Sequence, residues 1–395
     1  MVDELTVDAL GDPEGRGTLA AAAALGPTAL DAATGALWVF RYDEIDRLAH
    51  DPDLIGVGLT WFDLMGIDGD LRRWYGSLMF TNEGDAHLRL RRLVSRAFTP
   101  RSVERLRAHT AEVVGERFET IEAAGEGDLM DLFGRVAMRV MCRLLGVPEE
   151  DVNIFGSWAD ALSPVFGFMD PRQIDEARSA LTELLEYVAD LVDQRRGDPR
   201  DDLITALLQA EEAGDQLQSH EVVTMVANLL VGGHDTTTSQ VGCTLLTLMR
   251  HDDALARLRS GAADVAAAVS ETMRYEPSIA IIPRTVAAPL DIAGVTRPAG
   301  TMVLLSVLMA NRDDATWDRP DVFDIDRFTR PDVPRLLSFG TGPHYCLGAN
   351  LARMTLEETV AGFATRDVRP AGDLDAVEWR LVLGRSPASL PVRVH

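Results

Sequence analysis

The sequence predicts a mainly α protein with a small β part. Residues 111–215 alternate amphipathic helical segments with glycine- and proline-containing breaks. A longer apolar helix pattern then runs from His220 to Arg250, which would reach about 45 Å at the usual rise per residue. Strand patterns are few and short, such as Trp38-Val39-Phe40. Helices therefore form most of the predicted fold.

Before the first helical alternation, the chain is less regular. Residues 1–30 are acidic and then alanine-rich, and we predict an N-terminal arm there that leads into a short helix. Tyr42 to Ala49 is predicted to be helical. Residues 60–80 are rich in large apolar side chains without clear periodicity. They are equally consistent with an irregular part of the core and with a loop that lines an apolar pocket.

Residues 87–110 form a basic, largely helical stretch interrupted at Pro100. His87 and Arg91 are four residues apart and share one helical face. Such a run is usually a solvated face, but in an acidic chain a cluster of arginines favours an anionic partner. A further helix is predicted from Ala262 to Glu276, where Pro277 ends it.

That helix carries Glu271 and Arg274 three residues apart, a pair that is common by chance. Val295 to Arg312 is then predicted to be a hairpin with a turn at Pro298-Ala299-Gly300, followed by an apolar strand and a helix.

Composition excludes several functions. The 395 residues carry 38 basic and 62 acidic side chains, a net charge of −24, so nucleic acid is an unfavourable partner. Every basic residue is arginine, which excludes lysine Schiff-base chemistry and a P-loop lysine. Three cysteines without paired spacing argue against a disulfide framework and for a reducing compartment. No signal peptide or membrane span is predicted, so a cytoplasmic protein is expected.

One loop dominates the prediction of function: Phe339-Gly340-Thr341-Gly342-Pro343-His344-Tyr345-Cys346-Leu347-Gly348. Its glycines let backbone lie close to a flat ligand. Cys346 precedes a predicted helix, whose N-terminal dipole favours a thiolate. Three interpretations compete: a buried core thiol, a zinc site, for which no second ligand pair exists at finger-like spacing, and an iron-porphyrin bound through one sulfur.

The centre of the long predicted helix departs from its otherwise helix-favouring apolar pattern. The residues there are Gly232-Gly233-His234-Asp235-Thr236-Thr237-Thr238. Two glycines, an acid and three β-branched hydroxyls are poor choices for a helix interior, where each glycine costs about 1 kcal/mol. A kink at a close helix contact would explain the glycines but not the acid. A functional site at this point is the alternative.

These motifs together resemble the cytochrome P450 superfamily. The cysteine loop matches its haem-binding pattern Phe-Gly-x-Gly-x-His-x-Cys-x-Gly at every fixed position, and Ala349-Asn350-Leu351-Ala352-Arg353 resembles the helix that follows it. The centre of the long helix is similar to the family's oxygen-activation motif, small-Gly-x-acid-Thr. The resemblance covers the chain from about Val39 to the end, with the motifs in the family's order.

The resemblance implies a triangular-prism fold in which residues 31–395 form one haem-thiolate domain, with haem b between the long helix and the cysteine loop. It also implies roles for individual residues. Cys346 would be the axial thiolate, and the loop residues Phe339, Gly340, Gly342 and Gly348 would surround it. The residues that would hold the haem propionates are His87, Arg91, Arg284 and His344.

On the opposite side of the haem, Asp235 and Thr236 would deliver protons. Glu271 and Arg274 would be structural. The family's third member of that group lies in a Pro-x-Arg-Phe run, and here Ile325 replaces the proline, so Arg327 is only a candidate. The residues that we predict to line the substrate pocket are Phe80, Phe166, Val231, Gly232, Ile279, Ile282 and Val382.

The implied activity is insertion of one oxygen atom from O2 into a C–H or C=C bond of an apolar small molecule. No flavin or nicotinamide fingerprint is present, so a separate ferredoxin and its reductase would supply electrons to a monomeric protein. Two alternatives remain open at this point. The iron could serve peroxide-driven oxidation or C–C coupling, or the protein could bind haem without catalysis, as a ligand sensor.

Overall fold

The structure is a computed structural model, and it describes residues 5–11, 15–167, 169–212, 219–381 and 383–394. The helices are α1 Gly15–Leu25, α2 Tyr42–Leu48, α3 Thr60–Met65, α4 Gly69–Gly76, α5 Gly84–Ser95, α6 Pro100–Glu104, α7 Arg107–Ala124, α8 Leu129–Phe133, α9 Val136–Leu145, α10 Val152–Leu162, α11 Pro171–Gly197, α12 Leu203–Glu212, α13 Ser219–Met249, α14 Asp252–Arg259, α15 Val265–Tyr275, α16 Val307–Ala310 and α17 Ala349–Ala364.

The strands are shorter: β1 Thr28–Leu30, β2 Leu37–Val39, β3 Leu54–Gly56, β4 Glu126–Asp128, β5 Ile281–Val286, β6 Leu290–Ile292, β7 Val295–Arg297, β8 Met302–Ser306, β9 Val368–Pro370, β10 Trp379–Leu381, β11 Arg385–Pro387 and β12 Pro391–Val394. The mainly α fold class with a small β part is confirmed. Among the described residues, no helix combines the length and apolarity that a membrane crossing requires.

The largest sheet has five strands in the order β1-β2-β8-β5-β3, with β2 and β8 parallel and the other pairs antiparallel. The predicted hairpin between 295 and 312 is wrong. Strand β7 pairs with β6, whereas β8 lies between β2 and β5. In the predicted turn, Gly300 donates its N–H to the carbonyl of Val286, the last residue of β5. The turn therefore leads the chain into the sheet beside β5 and does not pair β8 with β7.

The described part of the first thirty residues packs against this sheet. Leu5, Leu10 and Leu19 are buried in one apolar cluster with Trp38 and Phe40. Burial of these leucines stabilises the segment by about 1.5–3 kcal/mol for each side chain.

Helix α13 is the axis around which the two large cores form. Its first half, including Val222, Val226 and Leu230, packs in one core, and its second half, including Val241 and Leu245, packs in the other. The helix is continuous through the two glycines. At Gly233 a Cβ would lie 2.5 Å from the methyl of Met141. A Cβ at Gly232 would meet open space, because that residue faces the central cavity.

Candidate active site

The middle of α13 and the cysteine loop are the two faces of one cavity of about 420 Å³. The cavity lies between the two large cores, where α13 passes from one core to the other. Its walls include six of the seven residues that we predicted to line a substrate pocket, namely Phe80, Phe166, Val231, Gly232, Ile279 and Ile282. Val382 lies outside the described residues. Side chains from 60–80 also line it, with Trp74 and Leu78 among them.

Cys346 presents its side chain to this cavity. Its accessible surface opens onto this cavity inside the protein, so the sulfur is still surrounded by protein atoms, whereas Cys142 and Cys243 are buried outright. The loop holds its shape because the Cys346 N–H donates to the carbonyl of Phe339 at 2.9 Å. Burial raises the pKa of the Cys346 thiol, and a hydrogen bond from the Gly348 N–H acts in the opposite direction. A bound metal cation would favour the thiolate form over the thiol.

Two glycines of this loop adopt backbone angles that other residues rarely take. Gly340 and Gly342 have φ of +71° and +72°. At Gly342 a Cβ would also lie 2.4 Å from the carbonyl oxygen of Ala49, so only glycine fits between the loop and the residue that follows α2. A Cβ on Gly348 would meet nothing within 4 Å, since this residue borders the cavity.

The acid and the alcohol of α13 point in different directions. Thr236 lines the cavity, and its hydroxyl donates to the carbonyl of Gly232 at 3.3 Å. The side chain of Asp235 is buried at another side of α13. Its Oδ2 accepts from the N–H of Gly384 at 3.4 Å, and its Oδ1 lies 3.8 Å from Arg380. Arg380 was not predicted from the sequence, because nothing in its local pattern marks it as a neighbour of Asp235.

Of the four predicted propionate-binding residues, Arg284 and His344 line the cavity, and His87 and Arg91 contact the cysteine loop next to it. The rings of His87 and His344 stack with centroids 4.1 Å apart, and Arg91 donates to the carbonyl of Tyr345 at 2.6 Å. Arg284 lines the cavity and donates to its neighbour's carbonyl, Pro283 O. A fifth residue, Glu83, was missed; it accepts from His344 Nε2 at 2.8 Å and from the N–H of Gly56 at 2.7 Å.

Electrostatics in this group show an excess of positive charge. Burial lowers the pKa of Arg284. Burial, reinforced by His344 and Arg91, lowers the pKa of His87 to about 4, so this imidazole is neutral near pH 7. Within the part of the chain that the structure describes, no carboxylate lies within ion-pair distance of Arg284. An anionic ligand would relieve both penalties.

Glu271, Arg274 and Arg327 form a buried group away from the cavity, which we call the charged triad. Two bonds of 2.8 Å join Arg274 to Glu271, and Arg327 Nε donates to the same carboxylate at 3.1 and 3.3 Å. All three side chains are at most 3% exposed. Ile325, in the position of the expected proline, is buried in the adjacent core and leaves this geometry intact.

A mainly α fold that presents one cysteine, an arginine and a histidine to an apolar cavity is typical of a haem-thiolate class of protein. Comparison with known proteins gives the family. The family model described as cytochrome P450 matches residues 152–265 and 265–362. The chain therefore belongs to the cytochrome P450 family, and it is a haem monooxygenase.

Relatives and solved structures agree with this assignment. The chain is 36% identical over 367 residues to cytochrome P450 107B1 of Saccharopolyspora erythraea, covering 90% of this chain and 88% of that protein. It is 33% identical over 355 residues to the 6-deoxyerythronolide B hydroxylase of the same organism, covering 88% and 86%. The crystal structure of CalO2 superimposes with a TM-score of 0.91 at 29% identity, covering 98% of this chain and 97% of that one.

Proteins of this family bind haem b, and the residues present fit that group. Arg284 is a buried cation that faces the cavity without a carboxylate partner among the described residues, as binding of a propionate requires. Cys346 faces the same space with a sulfur, a suitable axial ligand for haem iron. Gly232 and Gly348 lie on opposite walls, and a Cβ added to either would meet no atom within 4 Å, so both leave room for a broad ring.

Proposed function

We propose that this protein inserts one oxygen atom from O2 into a C–H or C=C bond of an apolar small molecule, using two electrons from a ferredoxin and its reductase. The other oxygen atom leaves as water, with two protons taken up. The observation that carries the proposal is the cavity itself, which has Cys346 on one wall, Thr236 on the other and apolar side chains between them. The apolar walls favour a substrate that buries hydrocarbon.

The haem supplies the O2-activating chemistry, and the chain supplies its position and the protons. In this proposal the Cys346 sulfur would hold the haem iron, and His87, Arg91, Arg284 and His344 would hold the propionates. The hydroxyl of Thr236 faces the cavity, where it can accept a hydrogen bond, and it can donate one there by releasing the carbonyl of Gly232. Asp235 would relay protons from solvent, through water, toward the Thr236 hydroxyl.

A spectral experiment tests the axial ligand. The reduced protein with carbon monoxide should show the strongly red-shifted Soret band of thiolate ligation, and Cys346→Ser should lose it because a neutral hydroxyl donates far less charge to iron. Cys142→Ser, which changes a buried cysteine away from the cavity, is the matched control. An unshifted band in folded wild-type protein would refute the thiolate assignment.

A second experiment tests the separate roles proposed for Asp235 and Thr236 on α13. Substrate would first be found by screening a library of apolar compounds for a shift of the Soret band. With that substrate, Thr236→Ala should still consume reductant but release more of it as hydrogen peroxide. Asp235→Asn should instead slow the whole cycle. Unchanged product per reductant in Thr236→Ala would assign the task to another group.

Docking of the ferredoxin is proposed at an arginine groove near α5. The groove has a volume of about 1150 Å³, and its lining has an excess of two positive charges. Six arginines and four acidic residues line it, namely Arg92, Arg96, Arg105, Arg143, Arg195, Arg200, Glu149, Glu150, Asp201 and Asp202. Near the groove, Arg92, Arg96 and Arg101 are exposed, whereas Arg89 forms an ion pair with Glu221. In a chain of net charge −24, such a groove favours an acidic partner.

Reduction kinetics test this dock. Changing Arg92 and Arg96 to Glu should slow reduction by ferredoxin and weaken its salt dependence, because two attractive charges become repulsive. Changing Arg172 and Arg393 to Glu alters the net charge equally on exposed residues outside the groove. If both double variants behave alike, the carrier docks elsewhere. Turnover driven by hydrogen peroxide, unchanged in all of them, would confirm that the site itself is intact.

A further inference from the structure

A polar junction of three side chains lies between α9, α10 and α13, outside the set of residues used above. Arg135 immediately precedes α9, Asp160 lies in the last turn of α10, and His234 lies in the middle of α13 beside Asp235. Asp160 Oδ1 is 3.1 Å from His234 Nε2, and Asp160 Oδ2 accepts from Arg135 Nη2 at 2.6 Å.

Asp160 is the acceptor that the other two residues share. Arg135 Nη1 is also 3.1 Å from His234 Nε2. A guanidinium only donates and a carboxylate only accepts, so one ring nitrogen cannot bond to both. With hydrogen on Nε2, His234 donates to Asp160 while Arg135 keeps its own bond to the same carboxylate. Burial opposes ionisation of Asp160, but hydrogen bonds from His234 and Arg135 outweigh it and lower its pKa to about 2.

The junction is built for close contact. His234 is 4% exposed, and its Nδ1 has no hydrogen-bond partner among the described residues. The guanidinium of Arg135 lies against Gly156 of α10, where a Cβ would be 2.5 Å from Arg135 Nε. One turn further along α13, the hydroxyl of Thr238 donates to the carbonyl of Gly134 at 3.4 Å. The chain before α9 therefore contacts both other helices.

Helix α10 leads directly to a wall of the cavity. It is followed by a 3-10 turn, Ser163–Phe166, whose last residue lines the cavity. The ring of Phe166 contacts Phe80, with centroids 5.7 Å apart, and also Tyr75, at 6.1 Å. The buried side chains of α10, such as Phe155 and Leu162, are apolar. Apolar packing is non-directional, so hydrogen bonds at the junction determine where the end of α10 lies along α13.

We propose that Arg135, Asp160 and His234 are positioning residues that hold the end of α10 against α13 and so keep the Phe166 wall in place. Their effect is on how readily a bulky ligand enters and leaves the cavity. The inference rests on the proposed function only in treating this cavity as the place where substrate binds. It assigns no catalytic step to His234.

Ligand kinetics on the haem-loaded protein test the proposal. Imidazole and 4-phenylimidazole both bind haem iron and shift the Soret band, and only the second is bulky. In His234→Leu and Asp160→Ala, 4-phenylimidazole should associate and dissociate about tenfold faster than in the wild type. This factor corresponds to the loss of one hydrogen bond to a charged group. The rates for imidazole should stay within twofold of the wild type. Asp160 is half-exposed, so its variant also covers the case in which His234→Leu fails to fold.

Two further variants separate positioning from general damage. His234→Gln keeps an N–H donor in a similar place, so its 4-phenylimidazole rates should return to within twofold of the wild type. Ser157→Ala, on the exposed side of α10, is the matched control and should change nothing. If His234→Gln behaves like His234→Leu, or if imidazole accelerates as much as 4-phenylimidazole, the proposal is overturned.

Hydrogen exchange gives a readout that needs neither substrate nor turnover. Peptides covering residues 152–166 should exchange faster in His234→Leu and Asp160→Ala than in the wild type, while peptides from α17 should not change. Unchanged exchange together with unchanged ligand rates would refute the junction's role. Because product formation is not measured, this result is independent of whether Asp235 and Thr236 deliver protons.

Discussion

The charged triad is buried and the cations at the edge of the cavity are partly buried, and the two groups differ in where the counter-charge comes from. In the triad, the carboxylate of Glu271 pairs with Arg274 and Arg327. The remaining guanidinium donors of the triad reach backbone carbonyls, such as those of Asn311 and Val322. The cavity cations Arg91 and Arg284 lie beside His87, which is neutral near pH 7, and His344. Among the described residues, the carboxylate bonded to this group is that of Glu83, which accepts from His344.

This difference separates a structural role from a binding role. Removing charges from water costs several kcal/mol for each ion unless partners offset it. The triad offsets that cost within the protein. At the cavity edge the cost remains visible, because burial lowers the pKa values of both Arg284 and His87. A group of buried cations that lacks sufficient counter-charge is suited to an anionic ligand, here the haem propionates.

The largest effect should come from breaking the triad. Arg274→Ala leaves Glu271 buried with one partner, which should destabilise the protein by about 3–5 kcal/mol. Because the cost arises within the protein, urea unfolding should show it in the haem-free and the haem-loaded forms alike. The matched control is Arg257→Ala, which removes an exposed ion pair with Asp326 and should cost about 1 kcal/mol or less. Equal effects of the two variants would contradict the distinction.

Arg284→Leu should behave in the opposite way. Removing a buried cation that lacks a carboxylate partner relieves a desolvation cost, so haem-free protein should be as stable as the wild type or more stable. Haem affinity should fall about 10- to 100-fold, the contribution of a hydrogen bond to a charged group. The measurement is haem transfer to an excess of apomyoglobin, alongside urea unfolding. A loss of haem-free stability like that of Arg274→Ala would show that Arg284 is structural instead.

Sequence alone predicted the residues of this site better than their surroundings, for a physical reason. The positions of Cys346, Gly340 and Gly342 depend on local backbone geometry, and a contiguous sequence motif is enough to predict such geometry. The direction of Asp235 toward Arg380 depends on packing between distant segments. The wrong hairpin at 295–312 has the same origin, because a strand's partner is set by contacts that are remote in sequence. Asp160 and Arg135 were not predicted because their residue types are common on protein surfaces. Only the packing of α10 against α13 brings them to His234.

Acid titration should sharpen the comparison through His87. Its folded pKa of about 4 lies below the ordinary 6.5. Between these values the unfolded chain binds more protons, so the stability of the haem-free protein should fall as the pH decreases from 6.5 to 4, by about 3 kcal/mol at most. Haem loading should reduce this dependence because propionates stabilise the charged imidazole. Unfolding measured across this range, with His87→Asn as the variant that lacks the titration, tests it. An equal slope in the variant would assign the dependence to another group.

The smallest effect concerns Glu83, which supplies the cavity cations with part of the negative charge that the propionates would bring. Its carboxylate bonds to His344 Nε2 and to the N–H of Gly56, so it competes with a propionate for His344. Its side chain is partly exposed, and screening limits its effect to about 0.5–1 kcal/mol. Glu83→Gln keeps an oxygen for the Gly56 N–H and removes the charge. Haem should therefore bind about two- to fivefold more tightly. Glu83→Ala loses the Gly56 bond as well and separates the two contributions. If Glu83→Gln instead weakens haem binding, Glu83 supports the orientation of His344 more than it competes for it. In that case the cavity cations are held in place by the protein in the same way as the triad.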